Sequence, residues 1–183
     1  MKKDLGTRLK RIKLLIMDVD GVLTDGRIIV DDKGAEIKRF DVQDGFGIVL
    51  FSAHRRAPFY GRAGFKTAII SARNSRAVDA RAKDLKIDFV FQDANPKSLA
   101  YMQIIKELGI SDKEVCFIGD DLTDLRILKK VGFAVAVSNA VKEVKGAAHY
   151  VTKKAGGGGA VREVIELILK AQGKWKEIIQ QYS

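Results

Sequence analysis

The chain has 183 residues, 46% of them apolar, which is enough to bury one substantial core, so a single domain over 1–183 is expected. Cys116 is the only cysteine, which excludes an intrachain disulfide, and no stretch approaches the ~20 uninterrupted apolar residues of a membrane helix. The net charge of +10 suits an anionic partner, but the lysines and arginines are scattered without interleaved aromatic motifs, which argues for a solvated basic surface and against nucleic acid.

In chain order, the basic start around Lys2, Lys3 and Arg8 leads into no secretory apolar segment, so a soluble, cytoplasmic protein with no membrane partner is expected. Ile12 to Met17 reads as a short buried strand. Arg27 to Val42 alternates around the turn Asp31-Asp32-Lys33-Gly34 and predicts a β-hairpin, over about 26–42, that overhangs the sheet as a flap. Buried strands follow at Thr67 to Ile70, Phe89 to Phe91, Val115 to Ile118 and Phe133 to Val137. Between them Arg76 to Leu85, Ser98 to Leu108 and Leu122 to Val131 carry apolar residues at helical spacing. This rhythm predicts an α/β fold with an open, doubly wound, Rossmann-like and mostly parallel sheet. Gly156 to Gly159 reads as a mobile connector to a helix over Val161 to Ala171 and an amphipathic tail with Trp175 and Tyr182 (helix and tail about 159–183). Cys116 lies inside an apolar run and is expected to be an inert core thiol, and His149, beside Tyr150-Val151, a structural histidine.

The chemistry gathers at strand ends. Asp18-Val19-Asp20-Gly21-Val22-Leu23-Thr24 leaves the first strand with paired carboxylates, a pair that can divide nucleophilic and acid/base work, with Gly21 permitting the turn. Gly119-Asp120-Asp121-Leu122-Thr123-Asp124 brings more carboxylates to the same edge, where they repel unless a cation neutralises them. Hard oxygen ligands select Mg²⁺, which substrate phosphate then completes. One of Asp121 and Asp124 also suits a helix cap. Ser71 after the second buried strand and Lys97 at a helix start offer a hydroxyl and an ammonium for phosphoryl oxygens.

In order and placement these segments resemble the motifs of the haloacid dehalogenase superfamily of phosphohydrolases: Asp18 to Thr24, Ser71, Lys97, and Gly119 to Asp124. The resemblance implies that Asp18 attacks phosphorus to form an aspartyl-phosphate while Asp20 protonates the leaving alcohol and then activates water. It also implies Mg²⁺ held by Asp18, the Asp20 backbone carbonyl and Asp120, with Asp121 and Asp124 in support, and Ser71 and Lys97 on the phosphoryl group. From about Leu14 to about Ala171 the chain is similar to one group within that superfamily, the phosphatases of 3-deoxy-D-manno-octulosonate 8-phosphate, on Asp18 to Gly26, Phe40 to Gly47, Gly119 to Asp121, Tyr150 to Thr152 and Gly156 to Glu163. That likeness implies no large cap domain, a small phosphorylated sugar acid as substrate, and a homotetramer in which neighbours help close each site. The glycine run is then expected to let the last helix reach a neighbour, a reading that stands beside backbone N–H groups turned toward an anion and a plain linker. Implied substrate contacts are Asp20, Asp41, Val42, Gln43, Asp44, Gly45, Arg73, Arg81 and Lys97, the arginines suiting a carboxylate.

The chain departs from the group at Val49, where a basic residue is expected, and over Ala53 to Arg62, a longer segment with His54, Arg55, Arg56, Pro58 and Arg62 that is either a surface insertion or a replacement for the lost charge. A phosphatase for another acidic sugar phosphate, such as a nine-carbon ulosonate, therefore stands as the rival enzyme. A non-catalytic phospho-receiver or partner subunit is the rival of another class; Asp20, placed to hydrolyse a phosphorylated Asp18, argues against it. A dinucleotide oxidoreductase is disfavoured because no Gly-x-Gly-x-x-Gly follows the first strand.

Overall fold

A computed structural model describes residues 2–52 and 65–182, with side chains from Leu5 onward. The sheet is six-stranded and parallel: β1 (Leu14–Met17), β4 (Lys66–Ile70), β5 (Phe89–Phe91), β6 (Val115–Gly119), β7 (Phe133–Ala136) and β8 (Tyr150–Val151), in the spatial order β5-β4-β1-β6-β7-β8. β1 is flanked by β4 and β6 in matched register, Met17 pairing with Ile69 on one side and Ile118 on the other. Its Leu-Leu-Ile-Met run is wholly buried, as a strand covered on both faces requires.

Helices cover both faces. α1 (Lys2–Arg11), α2 (Val42–Phe51), α3 (Arg76–Leu85), α7 (Ala160–Ala171) and α8 (Trp175–Gln180) are linked by mutual contacts on one side, and α4 (Lys97–Leu108), α5 (Leu125–Leu128) and α6 (Lys142–Ala147) on the other. From β1 the chain winds outward to β5, then returns to β6 beside β1 and winds the other way. The reversal falls between β1 and β6, the crevice where open α/β sheets bind ligands. Among the described residues no helix is long and apolar enough to cross a membrane.

The expected hairpin forms as a separate ribbon of β2 (Ile29–Val30) and β3 (Glu36–Ile37). Asp31 Oδ1 accepts from the N–H groups of Lys33 and Ala35, which closes its turn. The hairpin stops short of Val42, however, because Asp41 caps α2 by accepting from Asp44 N. The helix expected over Leu122 to Val131 is also shorter: a 3-10 turn at Leu122–Asp124 precedes α5.

The glycine run is not a free connector. Gly156 N donates to Asn139 Oδ1 at 2.7 Å and Gly157 N to Val22 O at 2.9 Å. A Cβ on Gly156 would stand 1.7 Å from Gly21 O, so only glycine permits this approach to the Asp18 to Thr24 loop. The segment expected at Ala53 to Arg62 lies outside the described residues. Cys116 is buried and burial pushes its thiol up, in keeping with a core role, and His149 Nδ1 accepts from Ala134 N, bracing β7.

Candidate active site

The register of β1, β4 and β6 sets Asp18, Ser71 and Asp120 at neighbouring strand ends, and α4 presents Lys97 from its first position. Asp18, Asp120 and Asp124 each offer a carboxylate oxygen within 4.8 Å of the others. Lys97 Nζ bridges two of them, 2.6 Å from Asp18 Oδ2 and 2.8 Å from Asp124 Oδ1, and is almost fully buried. Burial alone would lower the Lys97 pKa, but Asp18 and Asp124 outweigh it and hold the ammonium above its ordinary value. Asp18 Oδ1 accepts from Val19 N at 2.7 Å, so both oxygens of the carboxylate are oriented.

Asp124 is fully buried and committed: beyond Lys97, its Oδ2 accepts from Asp120 N at 3.0 Å and Asp121 N at 3.4 Å. It anchors the loop that presents Asp120. Asp121 is exposed and accepts from Leu122 N, a cap of the following turn. Asp120 differs from both, because its Oδ1 is buried with no hydrogen-bond partner. Gly21 makes room for it, since a Cβ there would lie 2.0 Å from Asp120 Oδ2. A buried carboxylate oxygen without a donor costs free energy unless something neutralises it. All-oxygen donors around such an atom fit a hard divalent cation such as Mg²⁺.

Burial, then repulsion from Asp124, raises Asp18 to about 6 against the pull of Lys97. Burial, then Asp18 and Asp124, raises Asp120 to about 7. Both folded values stand above the ordinary carboxylate range, so these groups stabilise the metal-free fold when protonated and lose that contribution as pH rises through 6 to 7. A cation reverses the sign by favouring the ionised pair, and protons compete with it. The thermal shift produced by Mg²⁺ is expected to be large near pH 8 and to shrink steadily toward about pH 5. A shift independent of pH over that interval would contradict the crowding.

The remaining residues expected in the site divide. Asp20 is partly exposed and has Arg73 Nε 3.7 Å from its Oδ2. Ser71 is buried, its Oγ accepting from Arg73 N. Asp41, Val42 and Gln43 line an open cleft of about 440 Å³ with Asp25, Arg39, Phe40 and Gly157, beside the loop that carries Asp18. Asp44 turns inward and is nearly fully buried; its oxygens accept from Gly159 N and Arg162 N at the start of α7, and burial raises it to about 6. The structure therefore spends Asp44 on tying α2 to α7. Gly45 lies under the Arg81 guanidinium, which pairs with Asp84 and stands over Phe40, while Arg81 Nε is buried without a hydrogen-bond partner. A second concavity, about 600 Å³, lies where the strands begin, with Lys10, Arg11, Lys13, Lys113 and Lys174 in its lining. The carboxylate cluster, not the larger volume, is the candidate reacting centre.

Sequence reading missed Lys38, whose Nζ reaches Asp20 Oδ1 at 2.5 Å, and Glu36, which pairs with Lys38 and Arg73. It also missed Asn139, which joins Gly21 O to Gly156 N. No local pattern marks these residues; each is defined by a partner distant in the chain.

A family model for haloacid dehalogenase-like hydrolases matches residues 81–165. The 3-deoxy-D-manno-octulosonate 8-phosphate phosphatase KdsC of Escherichia coli (strain K12) is 40% identical over 174 residues, covering 95% of this chain and 88% of that protein. The crystal structure of 3-deoxy-D-manno-octulosonate 8-phosphate phosphatase from Moraxella catarrhalis, in complex with magnesium ion, phosphate ion and KDO, superposes with a TM-score of 0.93 at 40% identity over 100% of both chains. The cobalt-bound phosphatase YrbI of Haemophilus influenzae superposes with a TM-score of 0.86 at 36% identity, covering 96% of this chain and 98% of that one.

Proposed function

The chain belongs to the haloacid dehalogenase-like hydrolases, in the family of the 3-deoxy-D-manno-octulosonate 8-phosphate phosphatases, and from that premise we propose that Asp18 is the nucleophile with which it hydrolyses this sugar phosphate. It is a phosphatase, and Mg²⁺ is its metal. The observation that carries the catalytic assignment is the buried Asp18–Lys97–Asp124 array with Asp120 beside it.

Lys97 and Ser71 hold the equatorial phosphoryl oxygens and orient the substrate for in-line attack. An Asp18 oxygen forms a bond to phosphorus as the bond to the sugar oxygen breaks, and Asp20 gives its proton to the departing alcohol. Asp20, now a carboxylate, takes a proton from water, whose oxygen attacks the aspartyl-phosphate and releases inorganic phosphate from Asp18. Mg²⁺, when bound by Asp18, the Asp20 carbonyl and Asp120, supplies positive charge to the transferring group. Asp124 and Asp121 support the loop that carries Asp120.

For the sugar acid, Arg73 and the cleft formed by Asp25 and Arg39 to Gln43 supply the polar contacts, and a guanidinium is suited to a carboxylate. Assembly as a homotetramer in the cytoplasm completes the reading. Its support is the apolar surface left outward by the hairpin and α2: Ile28, Val30 and Ile37 with Val42, Phe46 and Val49 are exposed. Val49, where a basic residue was expected, stands on this outward stripe of α2, a face suited to assembly.

The test is phosphate release from a panel comprising 3-deoxy-D-manno-octulosonate 8-phosphate, a nine-carbon ulosonate 9-phosphate and neutral hexose phosphates. The octulosonate is expected to lead in kcat/KM by about tenfold or more over each rival. Preference for the nine-carbon acid would transfer the assignment to the rival substrate without disturbing the mechanism.

A further inference from the structure

The hairpin delivers a buried cation to the reacting centre. Lys38 follows β3, and its side chain, only 2% exposed, places Nζ 2.5 Å from Asp20 Oδ1 and 3.0 Å from Glu36 Oε1. Arg73 closes the cluster from the loop after β4, donating to Glu36 Oε1 at 3.2 Å. Its Nε remains 3.7 Å from Asp20 Oδ2, beyond hydrogen-bond reach. Lys38 thus hydrogen-bonds one oxygen of Asp20, while the other faces the Arg73 guanidinium at ion-pair distance without a hydrogen bond.

An ammonium on a small two-stranded ribbon would be better hydrated if it pointed outward. Removing it from water is costly, and carboxylates on either side are what offset that cost here. The arrangement makes the hairpin and the Asp18 to Thr24 loop one unit, with the ion pair as the joint.

We propose that Lys38 is a positioning residue for Asp20: by holding Oδ1 it leaves Oδ2 as the oxygen that meets first the leaving alcohol and then the attacking water. The proposal rests on the reading of Asp18 as nucleophile and Asp20 as acid/base. Proton transfer requires the donor oxygen within hydrogen-bond reach of the reacting atom, so a carboxylate free to rotate loses part of the ~10²–10⁴-fold that such catalysis contributes. The sugar-acid contacts assigned to Arg73 and to the cleft of Asp25 and Arg39 to Gln43 do not include Lys38 itself, so KM is expected to change little.

Lys38→Met is expected to lower kcat on 3-deoxy-D-manno-octulosonate 8-phosphate by roughly 10- to 100-fold with KM within about threefold. On p-nitrophenyl phosphate, whose leaving group needs no proton, the same variant is expected to release a first equivalent of nitrophenol at a near wild-type rate and then turn over slowly, because hydrolysis of the aspartyl-phosphate still needs the base. Lys38→Arg should recover part of kcat. The double variant Lys38→Met/Glu36→Gln, which relieves the repulsion left between Asp20 and Glu36, should reproduce the kinetic defect with a normal Mg²⁺ thermal shift. A loss confined to KM, an equal loss of the initial nitrophenol burst, an unchanged kcat, or loss of the Mg²⁺ shift in both variants would overturn the positioning role. Asp18→Asn separates the underlying reading: a burst that survives this change would overturn the nucleophile itself, whatever Lys38 does.

Discussion

Asp18→Asn is expected to reduce phosphate release by at least about 10⁴-fold, because the amide cannot attack phosphorus and no other described carboxylate stands in its place. Asp20 is turned toward Lys38, Asp124 is bound to Lys97 and to backbone donors, and Asp120 leaves a different strand end. The fold should survive. Asn is nearly isosteric, Lys97 keeps Asp124 as counter-ion, and one negative charge is removed from a crowded cluster. A circular dichroism spectrum and melting temperature close to wild type, combined with lost turnover, would mark the residue as chemical. Retention of more than about a hundredth of the activity would mean that another group attacks.

Lys97→Met is expected to affect both stability and catalysis. The ammonium is buried between Asp18 and Asp124, and its loss leaves two carboxylates facing each other without a cation. Breaking a buried pair by removing one partner typically costs ~3–5 kcal/mol. In a chain of this size that corresponds to a fall of roughly 6–20 °C in melting temperature. Mg²⁺ should restore part of it by neutralising the same carboxylates. Because Lys97 also meets the transferring phosphoryl group in the proposed mechanism, kcat should fall by ~10²–10³-fold even under conditions where the variant is folded. Calorimetry with and without Mg²⁺, paired with steady-state kinetics, checks both arms. A melting temperature within about 2 °C of wild type would contradict the role of Lys97 as the buried counter-ion.

The central sheet was readable because its strands are unbroken apolar runs, and α3, α4 and α7 because their apolar residues fall at helical spacing. α2 was not. Its sequence, Val-Gln-Asp-Gly-Phe-Gly-Ile-Val-Leu-Phe, includes two glycines that weaken helix propensity. Gly47 earns its place only in the folded chain, where a Cβ would come 2.9 Å from Arg162 Cδ and spoil the packing of α2 on α7. Two-residue strands such as β8 are likewise defined by their neighbours.

The same division holds in the site. Asp18, Ser71 and Asp120 announce themselves because each follows a buried strand, and parallel register then brings strand ends together. Asp44 looks similar in sequence, a carboxylate next to the hairpin exit, yet it caps a helix 115 residues away through Gly159 N. The glycine run resembles a linker by composition and is instead packed backbone to backbone against Gly21. Lys38 has no signal of its own, since its partner Asp20 is met only once the hairpin folds back over the first strand end. Residues placed by periodicity are legible from one chain; residues placed by tertiary return are not.

The most direct test of the account is to trap the covalent species. Wild-type protein with Mg²⁺ would be mixed with excess 3-deoxy-D-manno-octulosonate 8-phosphate, quenched in acid within the first turnover, digested, and the peptides analysed by mass. The account predicts one phosphoryl group on the peptide containing Asp18, localised to that residue, and none in Asp18→Asn. Phosphate released at the normal rate with no phosphopeptide, or a phosphoryl group on any other residue, would contradict it.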